Sequence, residues 1–206
     1  YGAEGVRYWM LREVPPTGDA DYTDDKLERR YNADLANDLG NLLNRTISMI
    51  QRYRGGKVPA SIDPKSGEAL GVNGLAEAIT TAMGIEYDPQ HALATIWDCI
   101  VQANRYVETT SPWTLAKSER GGNTDATRAL DTPLYTLAET LRVVAVALQP
   151  FLPETSVRIA QQLGVALGEQ PWLEELKWGL LQPGTTVNKP EPIFPRLETV
   201  VSEPSR

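Results

Sequence analysis

The chain has 206 residues, 41% hydrophobic and 23% charged, shares that exclude a disordered or collagen-like polymer. Its single cysteine, Cys99, and single histidine, His91, exclude an internal disulfide and a zinc set of two cysteines and two histidines or of three histidines, and no nucleophile elbow lies near His91. The net charge of −7 denies a general basic footprint for nucleic acid, and no apolar run approaches the roughly 20 residues of a membrane span.

In chain order, residues 4 to 13 predict a short amphipathic helix stopped by Pro15, Pro16 and Gly18. Thr23, Asp24 and Asp25 supply cap candidates for a long helix. Its apolar set of Leu27, Tyr31, Leu35, Leu39, Leu42, Leu43, Ile47 and Ile50 recurs at helical spacing up to Tyr53, and Gly55 and Gly56 end it. Residues 57 to 72 form a polar loop, and a shorter helix with Leu75, Ile79 and Met83 stops at Gly84. Asp88-Pro89 opens a helix through Leu93, Ile96, Trp97, Ile100 and Val107, and Ser111-Pro112 repeats that start signal before a short helix. A helix carrying Leu134 to Leu148 follows, with Thr132 as its cap because Pro133 suits a first turn, and Thr155 to Leu163 forms the next. From about Glu169 the prolines, Pro171 to Pro204, predict an extended segment over the surface. With neither internal repeats nor βαβ alternation, the fold class is an all-α helix bundle.

The long helix has an unusual polar face. With Leu39 at 0°, Leu35, Leu42, Leu43, Thr46, Ile47 and Ile50 fall within roughly 80°, and Asn37, Asn41, Arg45, Ser48 and Arg52 fall between about 160° and 240°. No acid occurs between Asp38 and Asp63, while Arg45, Arg52, Arg54 and Lys57 do. Asparagine amides and arginine forks are the groups that read base edges and phosphates, although charge patterns most often mark a solvated face. Trp113, at the start of its short helix, is either a packing residue or a platform on which an unstacked base sits. Trp9, Trp97, Trp172 and Trp178 lie in hydrophobic patterns and are packing residues, His91 is a surface residue and Cys99 a small buried hydrophobe.

Several blocks are familiar. Asn104-Arg-Tyr-Val-Glu-Thr-Thr-Ser-Pro-Trp-Thr-Leu-Ala-Lys117 and Tyr31-Asn-Ala-Asp-Leu-Ala-Asn-Asp-Leu-Gly-Asn-Leu-Leu-Asn-Arg45 resemble the anticodon-binding helix bundle of methionyl-tRNA synthetases. Tyr1 to Arg12 resembles the stretch after that family's catalytic signature loop, and Pro183-Gly184 with Lys189 to Glu198 resembles its closing segment, which packs back on the bundle. The second block is shared with relatives that activate leucine, isoleucine or valine. The matching domain of another class I synthetase (valine, isoleucine, leucine or cysteine type) is therefore an alternative. So is a non-catalytic tRNA-binding or interaction module.

The resemblance implies that Trp113 stacks on the first anticodon base, a cytosine. It implies that Asn41 and Arg45 hydrogen-bond anticodon bases and backbone, and that Pro112 fixes the turn presenting the indole. Arg52, Arg54 and Lys117 are candidate RNA-backbone contacts. The implied partners are a methionine tRNA and an upstream catalytic domain, in a cytoplasmic ligase that uses ATP and Mg²⁺. Motifs of the His-Ile-Gly-His and Lys-Met-Ser-Lys-Ser kind are absent, so this chain itself needs no cofactor and forms no adenylate. Tyr1 in place of Met suggests a piece of a longer protein. The expected parts are a connector (1–22), an anticodon-binding bundle (23–168) and a C-terminal segment (169–206).

Overall fold

A computed structural model describes residues 1–60, 63 and 65–197. The helices are α1 (Gly2–Glu13), α2 (Asp24–Arg30), α3 (Asn41–Arg54), α4 (Leu75–Thr81), α5 (Pro89–Thr110), α6 (Pro112–Arg120), α7 (Asp125–Leu148), α8 (Pro153–Leu163) and the single turn α9 (Trp172–Glu175). Among the described residues the only β pairing is an isolated antiparallel bridge between Lys57 and Thr186. The all-α expectation holds.

The long helix is continuous in chain and composite in winding. Thr23 caps α2 by accepting from the Lys26 amide, Tyr31–Gly40 runs in wider π-helical turns, and α3 returns to α geometry before Gly55 ends it in the left-handed region. The wide turns bury Asp34, whose carboxylate accepts from the Tyr8 hydroxyl (2.6 Å) and from Arg30. A strict 3.6-residue period does not account for that burial.

α7 is the central column. Every residue from Pro133 to Leu148 is buried, because α3, α5, α6 and α8 surround it. This corrects the expected start at Thr132: α7 begins at Asp125 and runs through Pro133. An interior proline removes one backbone hydrogen bond, and the packing on all sides holds the helix together regardless. α4 likewise does not stop at Gly84. Its chain continues in π turns over Ala82–Glu86 until Tyr87 adopts φ 55°.

The C-terminal segment does pack back on the bundle. Glu139, fully buried, accepts from Arg142 and from the amides of Gly179, Leu180 and Leu181. Arg142 in turn donates to the carbonyls of Glu175 and Lys177. A side chain at Gly164 (φ 73°) would place its Cβ 2.1 Å from the Thr186 carbonyl oxygen, so the strap and the end of α8 can meet only over glycine. Asn32 exchanges two hydrogen bonds with the Leu197 backbone. α9 corrects the expectation of an uninterrupted extended tail: Pro171 precedes one helical turn that sets the Trp172 indole against the Val146 carbonyl. Pro204 and Glu198, in the tail and the closing block of the sequence, lie outside the described residues, as does Pro64 in the polar loop.

At the other end of the chain, the Glu4 carboxylate accepts from the Glu154 and Thr155 amides at the start of α8. A negative charge at that helix N-terminus satisfies orphan donors and the dipole together, and so ties α1 to the bundle. Trp9 and Trp97 are buried, Trp172 and Trp178 half-buried, Cys99 buried and His91 exposed, each as the sequence predicts.

Candidate nucleic-acid interface

α5 ends at Thr110. Ser111 then takes a left-handed conformation (φ 44°), and Pro112 opens α6 as its first residue. The reversal between two helices needs a positive φ, and proline supplies a preset helical φ without losing a useful donor. Pro112 is buried and Trp113, next in the chain, is 41% exposed. A bulky aromatic left open at a helix start, in a chain whose other four tryptophans are buried or half-buried, is available for stacking.

The Arg45 guanidinium lies 5.8 Å from the Trp113 ring centroid, within cation–π range. It also donates to Glu108 Oε1 at 2.7 Å, from the last turn of α5. Arg45 and Glu108 are both solvent-accessible, with side chains 37% and 63% exposed. α3, α5 and α6 thus meet at one ridge carrying an open indole, a cation and a removable carboxylate.

The predicted polar face exists as a surface. Asn41, Ser48 and Arg52 are exposed on α3, Asn44 joins them, and Asn37 and Arg45 are intermediate. Asn37, Asn41 and Asn44 line a cavity of about 470 Å³. Phe194, Pro195 and Arg196 of the C-terminal segment close its other side. Amides on one wall and an aromatic ring with a guanidinium on the other suit a planar polar group.

Of the candidate backbone contacts, Arg52 is exposed with its guanidinium 5.8 Å from the Tyr53 ring centroid, and Lys117 is exposed on α6. Arg54 is different. Its side chain is 16% exposed and its donors go to Asp131 Oδ1, both Glu119 oxygens and the carbonyls of Tyr53 and Thr127. The expectation of an RNA contact there is corrected, because the guanidinium is already used inside the fold. Glu119 is held below the usual carboxylate range, first by its hydrogen bond with Thr127 and then by Arg54.

Sequence reasoning missed Glu108, Asn44, Phe194 and Arg196. Asn44 follows Asn41 by three residues and was within reach of the helical pattern. Phe194 and Arg196 reach the cavity only through the path of the strap, for which the sequence carries no local signal.

Comparison with known proteins fits this geometry. Residues 75–203 match the family described as the anticodon binding domain of methionyl tRNA ligase, and residues 1–47 match class I tRNA synthetases of the methionine type. The methionine–tRNA ligase of Caldanaerobacter subterraneus subsp. tengcongensis is 40% identical over 205 residues, covering 96% of this chain and 30% of that protein. That of Clostridium perfringens is 41% identical over 204 residues, with the same 96% and 30% coverage. The crystal structure of the free Mycobacterium tuberculosis methionyl-tRNA synthetase superposes with a TM-score of 0.87 at 35% identity, covering 96% of this chain and 39% of that one. The chain therefore spans about a third of the length of the relatives it matches. An exposed tryptophan beside an arginine on an amide-lined ridge, and a family match over most of the sequence, lead to one conclusion: the chain belongs to the anticodon-binding domains of methionyl-tRNA ligases.

Proposed function

We propose that this chain recognises the anticodon of a methionine tRNA, as part of a longer cytoplasmic ligase that joins methionine to that tRNA using ATP and Mg²⁺. The observation that carries the reading is Trp113, held open at the start of α6 by buried Pro112 and flanked by Arg45. A splayed cytosine stacks on the indole face, worth roughly 1–3 kcal/mol per base. Arg45 leaves Glu108 and donates its fork to a base edge or phosphate. Asn41 supplies a paired donor and acceptor one helical turn away, and the cavity beside it receives a neighbouring base.

On this reading ATP and Mg²⁺ are handled by another part of the ligase. The two class I signature motifs are missing from the sequence. Adenylate chemistry is accordingly assigned to another part of that ligase, and no step runs through either group here. With a net charge of −7, non-specific attraction to phosphates is weak, and discrimination rests on a few contacts. Filter-binding titration tests the reading. Methionine tRNA should bind more tightly than the same tRNA with its first anticodon base replaced, and equal binding of the two would remove the assignment.

A further inference from the structure

Trp113 is useful only if α6 holds it still. That helix spans nine residues, below the roughly 12–15 at which an isolated helix becomes stable in water. Its last turn carries Lys117 and Arg120, which suit the helix dipole, and Glu119 between them, which does not. α6 lies along α7 with Pro112 and Ala116 buried, and Glu119 at its far end has a partner outside the helix.

That partner is Arg54, the last residue of α3. Its guanidinium takes both Glu119 oxygens in a fork (3.1 and 3.2 Å) while holding Asp131 and the Thr127 carbonyl of α7. At the opposite end of α6, Arg45 of the same helix lies against Trp113. Two arginines of α3 thus engage the two ends of α6. A helix fixed at one end can still turn about its own axis. A second fixed point six residues on, about 9 Å further along, adds to the packing on α7 in removing that freedom.

We infer that Arg54 is a positioning residue for anticodon recognition, acting through α6 to set the direction of the Trp113 indole. The inference rests on the stacking role given to Trp113 above. It also explains why an arginine inside the basic interval is withdrawn from the surface: its work is to orient the reader.

A double-mutant cycle on the 206-residue chain tests this, with binding of methionine tRNA as the readout. Arg54→Met should weaken binding at least fivefold, yet change it less than twofold when Trp113→Ala is already present. Its log Kd against log salt slope should match that of the unaltered chain, because no phosphate partner is removed. Glu119→Ala removes both bonds of the fork while Asp131 still pairs with Arg54, and serves if Arg54→Met does not fold. It should show a smaller loss with the same dependence on Trp113. Equal fold losses in both backgrounds, or a salt slope reduced by about one, would overturn the positioning role and make Arg54 an independent contact. A normal affinity in Trp113→Ala alone would instead overturn the stacking reading on which the inference stands.

Discussion

Replacing Arg45 with alanine separates binding from folding more cleanly than any other change at the ridge. Within the protein, the substitution removes two interactions. The pair with Glu108 is short at 2.7 Å, but both side chains are more than a third exposed, which limits it to about 0–1 kcal/mol. The cation–π interaction with Trp113 at 5.8 Å adds about 0.5–1 kcal/mol at an exposed site. Alanine is the better helix former and returns a few tenths. The net stability loss is therefore about 1 kcal/mol, a shift of about 2–4 °C in Tm for a chain of this size. If Arg45 reads a base edge, the loss in binding is about 1–3 kcal/mol, or roughly 5- to 150-fold in Kd. The assay pairs a thermal melt with titration of labelled methionine tRNA and of tRNAs with unrelated anticodons. Selective loss on the methionine tRNA is expected. Equal losses on every tRNA would make Arg45 a phosphate contact, and unchanged binding would remove it from the interface.

Three other perturbations probe the site and its support. Trp113→Ala should weaken anticodon-dependent binding by roughly 1–3 kcal/mol while circular dichroism shows the helix content retained; an unfolded variant would show the indole to be core. Glu139→Ala leaves the buried Arg142 guanidinium and three amides of the C-terminal strap without their acceptor, and should cost on the order of 3–5 kcal/mol in urea unfolding. A loss below about 1 kcal/mol would show that water or a rearranged strap replaces the carboxylate. Burial pushes the Cys99 thiol up to about 11 from 9.0. The unfolded chain gives up this proton near pH 9 and the folded chain near pH 11, so the contribution of this group to stability is full below pH 9 and falls across that interval, by roughly 2–3 kcal/mol. Cys99→Ser should flatten that part of the stability profile, and rapid native-state alkylation at pH 8 would contradict the burial.

The helical pattern was legible wherever apolar residues kept a 3.6 period. This is why α5, α8 and the open Asn41–Arg52 face follow from spacing alone. It failed where tertiary packing overrides local preference. Pro133 reads as a helix start by itself, yet α7 passes through it because its neighbours bury the column on every side. Gly84 reads as a stop, yet the chain winds on in π turns to Glu86. At the site, Arg45 is readable from spacing, whereas position alone reads Trp113 as a packing residue and only the family resemblance reads it as a stacking platform. The two carboxylates that occupy the arginines, Glu108 and Glu119, lie more than sixty residues away in sequence. A basic run in the sequence therefore says where positive charge lies, and the fold decides which part of it faces solvent.

The central claim is that the ridge of Trp113, Arg45 and Asn41 reads the first anticodon base. The most direct measurement is the affinity of the chain for methionine tRNA against the same tRNA changed only at that base, repeated with Trp113→Ala. The account predicts a clear preference for the unchanged tRNA that collapses in the variant. An equal affinity for the two tRNAs, or a preference that survives the loss of the indole, would contradict it.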